Sequence, residues 1–380
     1  MEVLDFMNAH DDWEDLLAQL PYCIKVRRDN GYILLKYSQF ESDMTIPLVR
    51  ECRGSIFYQN DSDKYECVCY PFSKFGNVGE TYVPDIDWES AVVEEKVDGS
   101  LTKLFYHNSR WNIATNGLPN AFLAEINDKG ISFGDLFHEA LGGREQFKAF
   151  CSHLDTNETY MFELVSLASK LVVYYPETRL YYLGQRNMTT MQESKNYTSF
   201  MKDYGVLCPK VYNINTLEGC LEYVKSMTRN EEGFVVRDKN FNRMKIKSPE
   251  YLIAFHMDNN GVITTKRIVK MLKNETIDDF LAYCPEYKND VQVVLDQLHH
   301  IAQIFDDDWN RASKHAETMT RKEFAALVSK CRTSPYLFEK YNHPNTKAID
   351  WILSQFTRTI LRMLNTYSKE SVDLSELISI

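Results

Sequence analysis

Little in this 380-residue chain points to a membrane, a secretory route or a structural metal. No run is long enough and apolar enough to span a bilayer. Met1 to His10 carries Glu2 and Asp5 and lacks a basic region, so a secretory signal is not expected. The nine cysteines are odd in number and irregularly spaced. Cys67-Val68-Cys69 is the one close pair, and no second pair follows at zinc-ligand spacing. Reduced thiols in a cytoplasmic compartment are therefore expected, and structural zinc is not. A cationic excess is missing too. The net charge of -11 excludes broad non-specific nucleic-acid binding through the overall field. The charge is uneven, with 16 Lys and Arg against 17 Asp and Glu from Phe255 onward, and 27 against 37 before it. A nucleic-acid partner would have to be held by local basic patches. There is no low-complexity segment and no internal repeat.

Apolar patterning fills the first two thirds of the chain with short strands. Glu2 to Leu20 has helical spacing and stops at Pro21. Ile24 to Val26 and Tyr32 to Tyr37 flank Asp29-Asn30-Gly31, a hairpin signal. Strands are expected at Gly54 to Tyr58, Tyr65 to Tyr70, Trp111 to Thr115, Tyr160 to Leu164, Leu171 to Tyr175, Leu180 to Leu183, Phe234 to Arg237 and Arg243 to Lys247. Helices are expected at Phe133 to Cys151, Met191 to Tyr204 and Leu217 to Met227. From about Tyr251 the pattern turns helical, with Val291 to Phe305 and Ile349 to Leu364 keeping helical spacing and no strand signal of similar strength. The expectation is an α+β domain over 1–254 and an all-helical domain over 255–380.

The chemistry centres on Val92-Val93-Glu94-Glu95-Lys96-Val97-Asp98-Gly99-Ser100-Leu101. The β-branched entry reads as a strand end, and Leu101 to Tyr106 as the next strand. Lys96 then lies beside an Asp-Gly turn. An amine becomes a nucleophile when cations, a metal or burial favour its neutral form. Charged residues recur at later strand ends: Phe162-Glu163, Glu231-Glu232-Gly233, and Lys245 with Lys247 on one face of a strand. Arg53 and Lys74 lie upstream, the latter in the loop Lys74-Phe75-Gly76-Asn77. Taken singly, each has a plainer reading: a turn lysine, a capping glutamate, a solvated edge strand.

In order, K-x-D-G, F-E, E-G before an apolar strand and K-x-K resemble the covalent nucleotidyltransferases. The details are most similar to the phage-type RNA ligase 1 family of tRNA-repairing ligases, through Cys52-Arg53-Gly54, the Lys74 loop, Glu232-Gly233-Phe234-Val235 and Lys245-Ile246-Lys247-Ser248. The resemblance implies an ATP-grasp-like ligase domain of antiparallel sheets with helices, followed by the helical tail. It implies that Lys96 attacks the α-phosphate of ATP and carries AMP. Asp98, Glu163, Glu232, Lys245 and Lys247 would complete the catalytic set. Arg53, Lys74, Glu95, Gly99 and Asn116 would join Lys96, Glu163, Glu232, Lys245 and Lys247 around the nucleotide. Mg2+, or Mn2+, would meet Glu232 and Asp98 through water. Arg186 is a weaker match to a motif between the third and fourth. Thr115-Asn116-Gly117 departs from the pattern, because Asn116 stands where relatives often carry a basic residue.

The residue types suit this chemistry on their own terms, since an amine attacking ATP needs cations on the phosphates. The expected partner is RNA, in particular a nicked tRNA with 5′-phosphate and 3′-OH ends, supplied by an end-healing kinase/phosphatase. Lys266, Arg267, Lys270 and Lys273 form a basic helical stripe expected to contact that RNA. A capping-type guanylyltransferase, a DNA ligase and a non-enzymatic RNA-binding protein are the alternatives. The first two usually add an OB-fold, whereas here the chain turns helical and no Arg-x-Asp-Lys-like stretch follows Lys247.

Overall fold

Alternating apolar residues between Ile24 and Lys247 assemble into antiparallel sheets in the computed structural model. It describes residues 1–38, 41–126, 130–170, 172–257, 263–274, 277, 280–281, 287–316 and 319–367. The chain divides into two compact units, Met1–Asp258 and Asn259–Ile380. The boundary expected near residue 254 falls inside a helix of the first unit, Pro249–Met257.

Among the described residues of the first unit, a four-stranded sheet takes the order β1 (Ile24–Asp29), β2 (Tyr32–Tyr37), β3 (Arg53–Gln59), β4 (Tyr65–Cys69). Helices Glu2–Ala9 and Trp13–Leu17 cover one face through Val3, Met7, Trp13 and Leu17, which pack on Ile33, Leu35 and Phe57. The other face carries Tyr32, Leu34 and Ile56. These meet Phe105 and Ala114 of β6 (Ser100–His107) and β7 (Arg110–Thr115). Alternation is why one strand serves two cores.

Strands β6 and β7 belong to a five-stranded sheet with β10 (Glu158–Val165), β11 (Arg179–Asn187) and β12 (Glu193–Ser194), in the order β12-β11-β10-β6-β7. Helices Phe133–Ala140 and Arg144–Cys151 seal it with Phe137 and Phe150 against Phe162 and Tyr182. A third sheet takes the order β13-β5-β14-β15, from β5 (Val92–Glu95), β13 (Val211–Tyr212), β14 (Gly233–Arg237) and β15 (Arg243–Lys247). Cys220 and Val224 of the helix Leu217–Val224 cover it. The ribbon β8 (Glu125–Ile126) with β9 (Ile131–Ser132) is peripheral.

Several expected elements change. The helix expected over Glu2 to Leu20 breaks at His10, whose backbone is extended. The one over Phe133 to Cys151 breaks at Gly142-Gly143, both in the left-handed region with φ of +87° and +110°. Met191 to Tyr204 is helical only over Ser199–Asp203. Its first part is recruited as β12 because Glu193 is held by Arg186 and Arg243. Of the strand expected over Leu171 to Tyr175, Val172 to Tyr175 are not in a strand. Leu171 lies outside the described residues, and Val172 and Val173 give their N–H groups to the Asp98 carboxylate.

The second unit, by itself, is helical among its described residues. It contains Thr265–Asn274, Lys288–Ala316, Arg321–Val328, Ser334–Asn342, Ala348–Ser354 and Thr357–Tyr367. Its centre is Leu298, Phe305, Tyr336, Ile352, Ile360 and Leu364, all buried. The helix expected across Ile349 to Leu364 splits at the extended Gln355, whose side-chain amide donates to the Trp351 carbonyl. None of the described helices is long and apolar enough to cross a membrane. The eight described cysteines are free thiols.

Candidate active site

Two backbone features bring the lysine of the K-x-D-G stretch to its partners. The Lys96 N–H donates to the Gly233 carbonyl (2.8 Å), which extends the β5–β14 pairing by one rung. Gly233 in turn lies opposite Lys247 on β15. No side chain fits at 233: its φ is +135°, and a Cβ would lie 2.1 Å from the Ile246 carbonyl oxygen. Gly99 is needed for a different reason. A Cβ there would lie 2.6 Å from the Leu164 carbonyl oxygen and 3.0 Å from Glu163 Cγ. The Glu-Gly and Asp-Gly pairs therefore mark places where strands approach too closely for a larger residue.

The side chains follow from that register. Lys96 Nζ donates to Glu232 Oε2 at 2.7 Å, and Lys247 Nζ lies 3.2 Å from Glu232 Oε1. Glu232 is only 4% exposed, whereas Lys96 is 20% exposed at its side chain. One buried carboxylate thus joins two cations from different strands, and one of those cations still reaches solvent. Glu163, on β10 opposite Leu101, completes the group electrostatically. Burial pushes its carboxyl up to about 7, with Glu232 and Asp98 adding to the rise and Lys96 and Arg53 opposing it. The position poises it between charge states at neutral pH.

Asp98 lies inside this group but faces protein. Its Oδ2 accepts from the N–H groups of Val172 (3.0 Å) and Val173 (2.8 Å), and its Oδ1 accepts from the Tyr251 hydroxyl (2.9 Å). Its own N–H donates to the Tyr175 hydroxyl. Burial, then the Glu232 charge, raise its carboxyl above the ordinary range.

The upstream loop brings further cations. Gly76 accepts from the Lys245 N–H, and Val78 donates to the Lys245 carbonyl, so residues 76–78 add a parallel rung to β15. A ladder of alternating cations and rings results. Arg243 lies 4.9 Å from the Phe72 ring centre, Arg53 lies 4.8 Å from Phe72 and 5.5 Å from Phe75, and Lys245 lies 5.9 Å from Phe75. Such stacking holds guanidinium groups at fixed positions. Lys74 is on the same loop, but its ammonium rests 5.4 Å from the Tyr37 ring. Glu95 exchanges backbone and carboxylate bonds with Lys210. The Asn116 Oδ1 is buried and has no hydrogen-bond partner among the described residues.

Arg186 has a structural place: it pairs with Glu193 at 2.5 Å and stacks 4.1 Å from the Tyr70 ring. In the second unit, Lys266 and Lys270 are exposed on their helix. Lys273 instead donates to the Gln355 carbonyl, and burial lowers its pKa. Sequence reasoning missed Tyr251, Tyr175 and Lys103. Tyr251 falls in the expected boundary region. Lys103 reads as the polar side of an alternating strand, yet is 0% exposed.

Comparison with known proteins matches an RNA ligase family model, of the type named for T4 RNA ligase 1, to residues 51–251. A protein of Autographa californica nuclear polyhedrosis virus named as a bifunctional polynucleotide kinase/RNA ligase is 32% identical over 305 residues. Those cover 76% of this chain, and the chain spans only 42% of that relative's length. An RNA ligase of Rhodothermus phage RM378 is 22% identical over 366 residues, covering 78% of this chain and 82% of the relative. A solved archaeal ATP-dependent RNA ligase is similar over 95% of this chain and 96% of its own, at 14% identity and a TM-score of 0.45.

Proposed function

Because the chain belongs to the RNA ligase family, we propose that it is an ATP-dependent RNA ligase working through a Lys96–AMP intermediate. The observation that carries this reading is the convergence of Lys96 and Lys247 on the buried Glu232 carboxylate. A partly exposed amine is thereby held at a strand end among cations that suit a polyphosphate. In the first step the Lys96 nitrogen bonds to the α-phosphorus as the bridging P–O bond breaks. Pyrophosphate leaves, and the amine sheds a proton. In the second, AMP passes from Lys96 to an RNA 5′-phosphate. In the third, a 3′-OH attacks that phosphate and AMP departs. Lys245, Lys247, Arg53 and Lys74 would face the phosphates, and Gly99, Glu95 and Asn116 the nucleotide.

Among the described residues, no three metal-binding side chains form a cage. That suits a magnesium or manganese ion held largely by substrate phosphates and water, with Glu163 and Glu232 as the carboxylates within reach. When bound, such an ion neutralises charge on the leaving group. Asp98 fits a positioning role better than a water-bridged metal contact, because backbone N–H groups and a tyrosine hydroxyl hold its oxygens, whereas the Glu232 oxygens rest on lysine side chains that substrate phosphates can draw away.

The RNA is our further reading. A nicked tRNA with 5′-phosphate and 3′-OH ends suits this chemistry, and the kinase-ligase name of one relative favours an end-healing partner in the same cytoplasm. The helical unit, through Lys266, Arg267 and Lys270 with Lys273 at the end of the stripe, would set RNA choice. The deciding experiment incubates the protein with labelled ATP, and separately GTP, and maps the adduct. AMP on Lys96 is expected. GMP, another lysine or no adduct overturns the reading.

A further inference from the structure

Asp98 is gripped in two ways by one short stretch of chain. Val172 and Val173 give their N–H groups to its carboxylate at 3.0 and 2.8 Å. Two residues further on, the Tyr175 hydroxyl accepts the Asp98 N–H at 3.2 Å. The stretch thus donates to the Asp98 side chain and accepts from the Asp98 main chain. The sequence explains why a hydroxyl is at hand there. Side chains alternate along extended backbone: Val173 is 7% exposed and Tyr174 57%, and Tyr175 turns back to Asp98. Pro176 follows, which disfavours a helical backbone at Tyr175.

These contacts act on different parts of the residue. Those to the carboxylate, which the Tyr251 hydroxyl shares, fix a side chain. The Tyr175 contact fixes the main chain two residues after Lys96. The main chain at Lys96 is fixed as well, since its N–H donates to the Gly233 carbonyl. The chain that carries the nucleophile is therefore pinned at residue 96 by β14 and at residue 98 by Tyr175. The two pins refer to different halves of the site. Gly233 directly follows Glu232. The Tyr175 ring meets the Tyr181 ring edge-on, with centres 6.3 Å apart, and Tyr181 lies directly opposite Glu163 in the β10–β11 pairing. Burial holds the phenol above its ordinary pKa, so at neutral pH it remains an uncharged hydroxyl.

We propose that Tyr175 is a positioning residue for the nucleophile: its hydroxyl holds the main chain at Asp98 and so fixes Lys96 relative to Glu163 and Glu232. The proposal rests on the ligase reading above. Tyr175 acts through the turn and not on the reacting atoms. Loss of its hydroxyl leaves the amine and the buried carboxylates present but lets the turn between them shift, and attack by a held nucleophile is sensitive to small displacements.

Three measurements on the full chain test it, with Tyr175→Phe, which keeps the ring, and Tyr175→Ala, which removes it. In single-turnover adenylylation, Tyr175→Phe should lower the maximal rate by about tenfold or more and leave the half-saturating ATP concentration unchanged. Its Tm should move by about 4 °C or less, the size expected for one hydrogen bond. Hydrogen exchange at the Asp98 amide, read by NMR, should quicken by about tenfold or more, with the Lys96 amide as the unmoved control. A wild-type rate in Tyr175→Phe, with loss only in Tyr175→Ala, overturns the proposal and leaves the ring a packing group. So does a rate that falls only in step with the folded fraction, which would make the role structural. Unchanged exchange at Asp98 overturns it too, since the hydroxyl would then not hold the turn. Absence of Lys96–AMP in the wild type would sink the ligase reading, while the exchange measurement still judges the hold of Tyr175 on the turn.

Discussion

Removing the Glu232 carboxylate should cost more stability than removing the nucleophile it holds. Glu232 is 4% exposed and serves both Lys96 at 2.7 Å and Lys247 at 3.2 Å. Glu232→Ala leaves two cations facing each other, one of them only 6% exposed. Breaking a buried pair from one side costs about 3–5 kcal/mol. Lys96→Ala leaves Glu232 still paired with Lys247, and the lost partner is partly exposed, so about 1 kcal/mol or less is expected. For a unit of this size the difference corresponds to a Tm gap on the order of 10 °C. Thermal melts of the two variants and of the double mutant Glu232→Ala/Lys247→Met measure it. The double mutant should recover much of the loss, because the stranded cation is gone. Equal, small shifts in both single variants would refute the reasoning and place this carboxylate in a solvent-screened pair. Adenylylation should be lost in both.

Glu163, raised by burial above the 4.5 of an ordinary glutamate to about 7, holds its proton more tightly folded than unfolded. Its contribution to stability therefore falls as pH rises from about 4.5 to about 7 and stays low above that. Urea melts should show Glu163→Gln gaining on wild type across that window, and a constant difference would refute the shift. Gly233→Ala must move the Ile246 carbonyl or the Lys96 rung. Adenylylation should fall with a stability loss of about 1–3 kcal/mol, and a wild-type melt and rate would count against the register account. Asp98→Ala strands the Val172 and Val173 N–H groups and the Tyr251 hydroxyl, at about 1–3 kcal/mol for each buried group left unsatisfied. Asp98→Asn should be milder, and equal losses would argue against a positioning role. A chain ending at Asp258 should still form Lys96–AMP but lose any preference for nicked tRNA over a plain oligonucleotide. A retained preference would remove the helical unit from RNA choice.

The strands and the order of the charged motifs were legible in the sequence because alternation and Gly-marked turns are local signals. Lys96, Glu232 and Lys247 could be named because their motifs, taken in order, resemble those of a ligase family, and the structure pairs them directly. Helix continuity was less legible. Gly142-Gly143 looks tolerable inside an apolar pattern until both adopt positive φ, and Glu193 joins a strand only because distant arginines hold it. The least visible feature was what faces what across a seam. Lys103 looks like an ordinary polar position in an alternating strand, and only the packing of two sheets buries it and turns its amine onto the Gly54 carbonyl. Asp98 shows the same limit, since its partners Val172, Val173 and Tyr251 lie 74 to 153 residues away.

The rung that joins the Lys96 N–H to Gly233, itself opposite Lys247, also sets where the chain can change length. Three charged residues depend on one count of residues along β5, β14 and β15. An insertion of one residue inside any of these strands would turn every following side chain to the other face of the sheet. An insertion in the turn at Asp238 to Asn242, or in the segment before Glu231, leaves that count intact. Length variation should therefore collect in those two connections and be absent from the three strands, whatever substitutions the strands themselves accept.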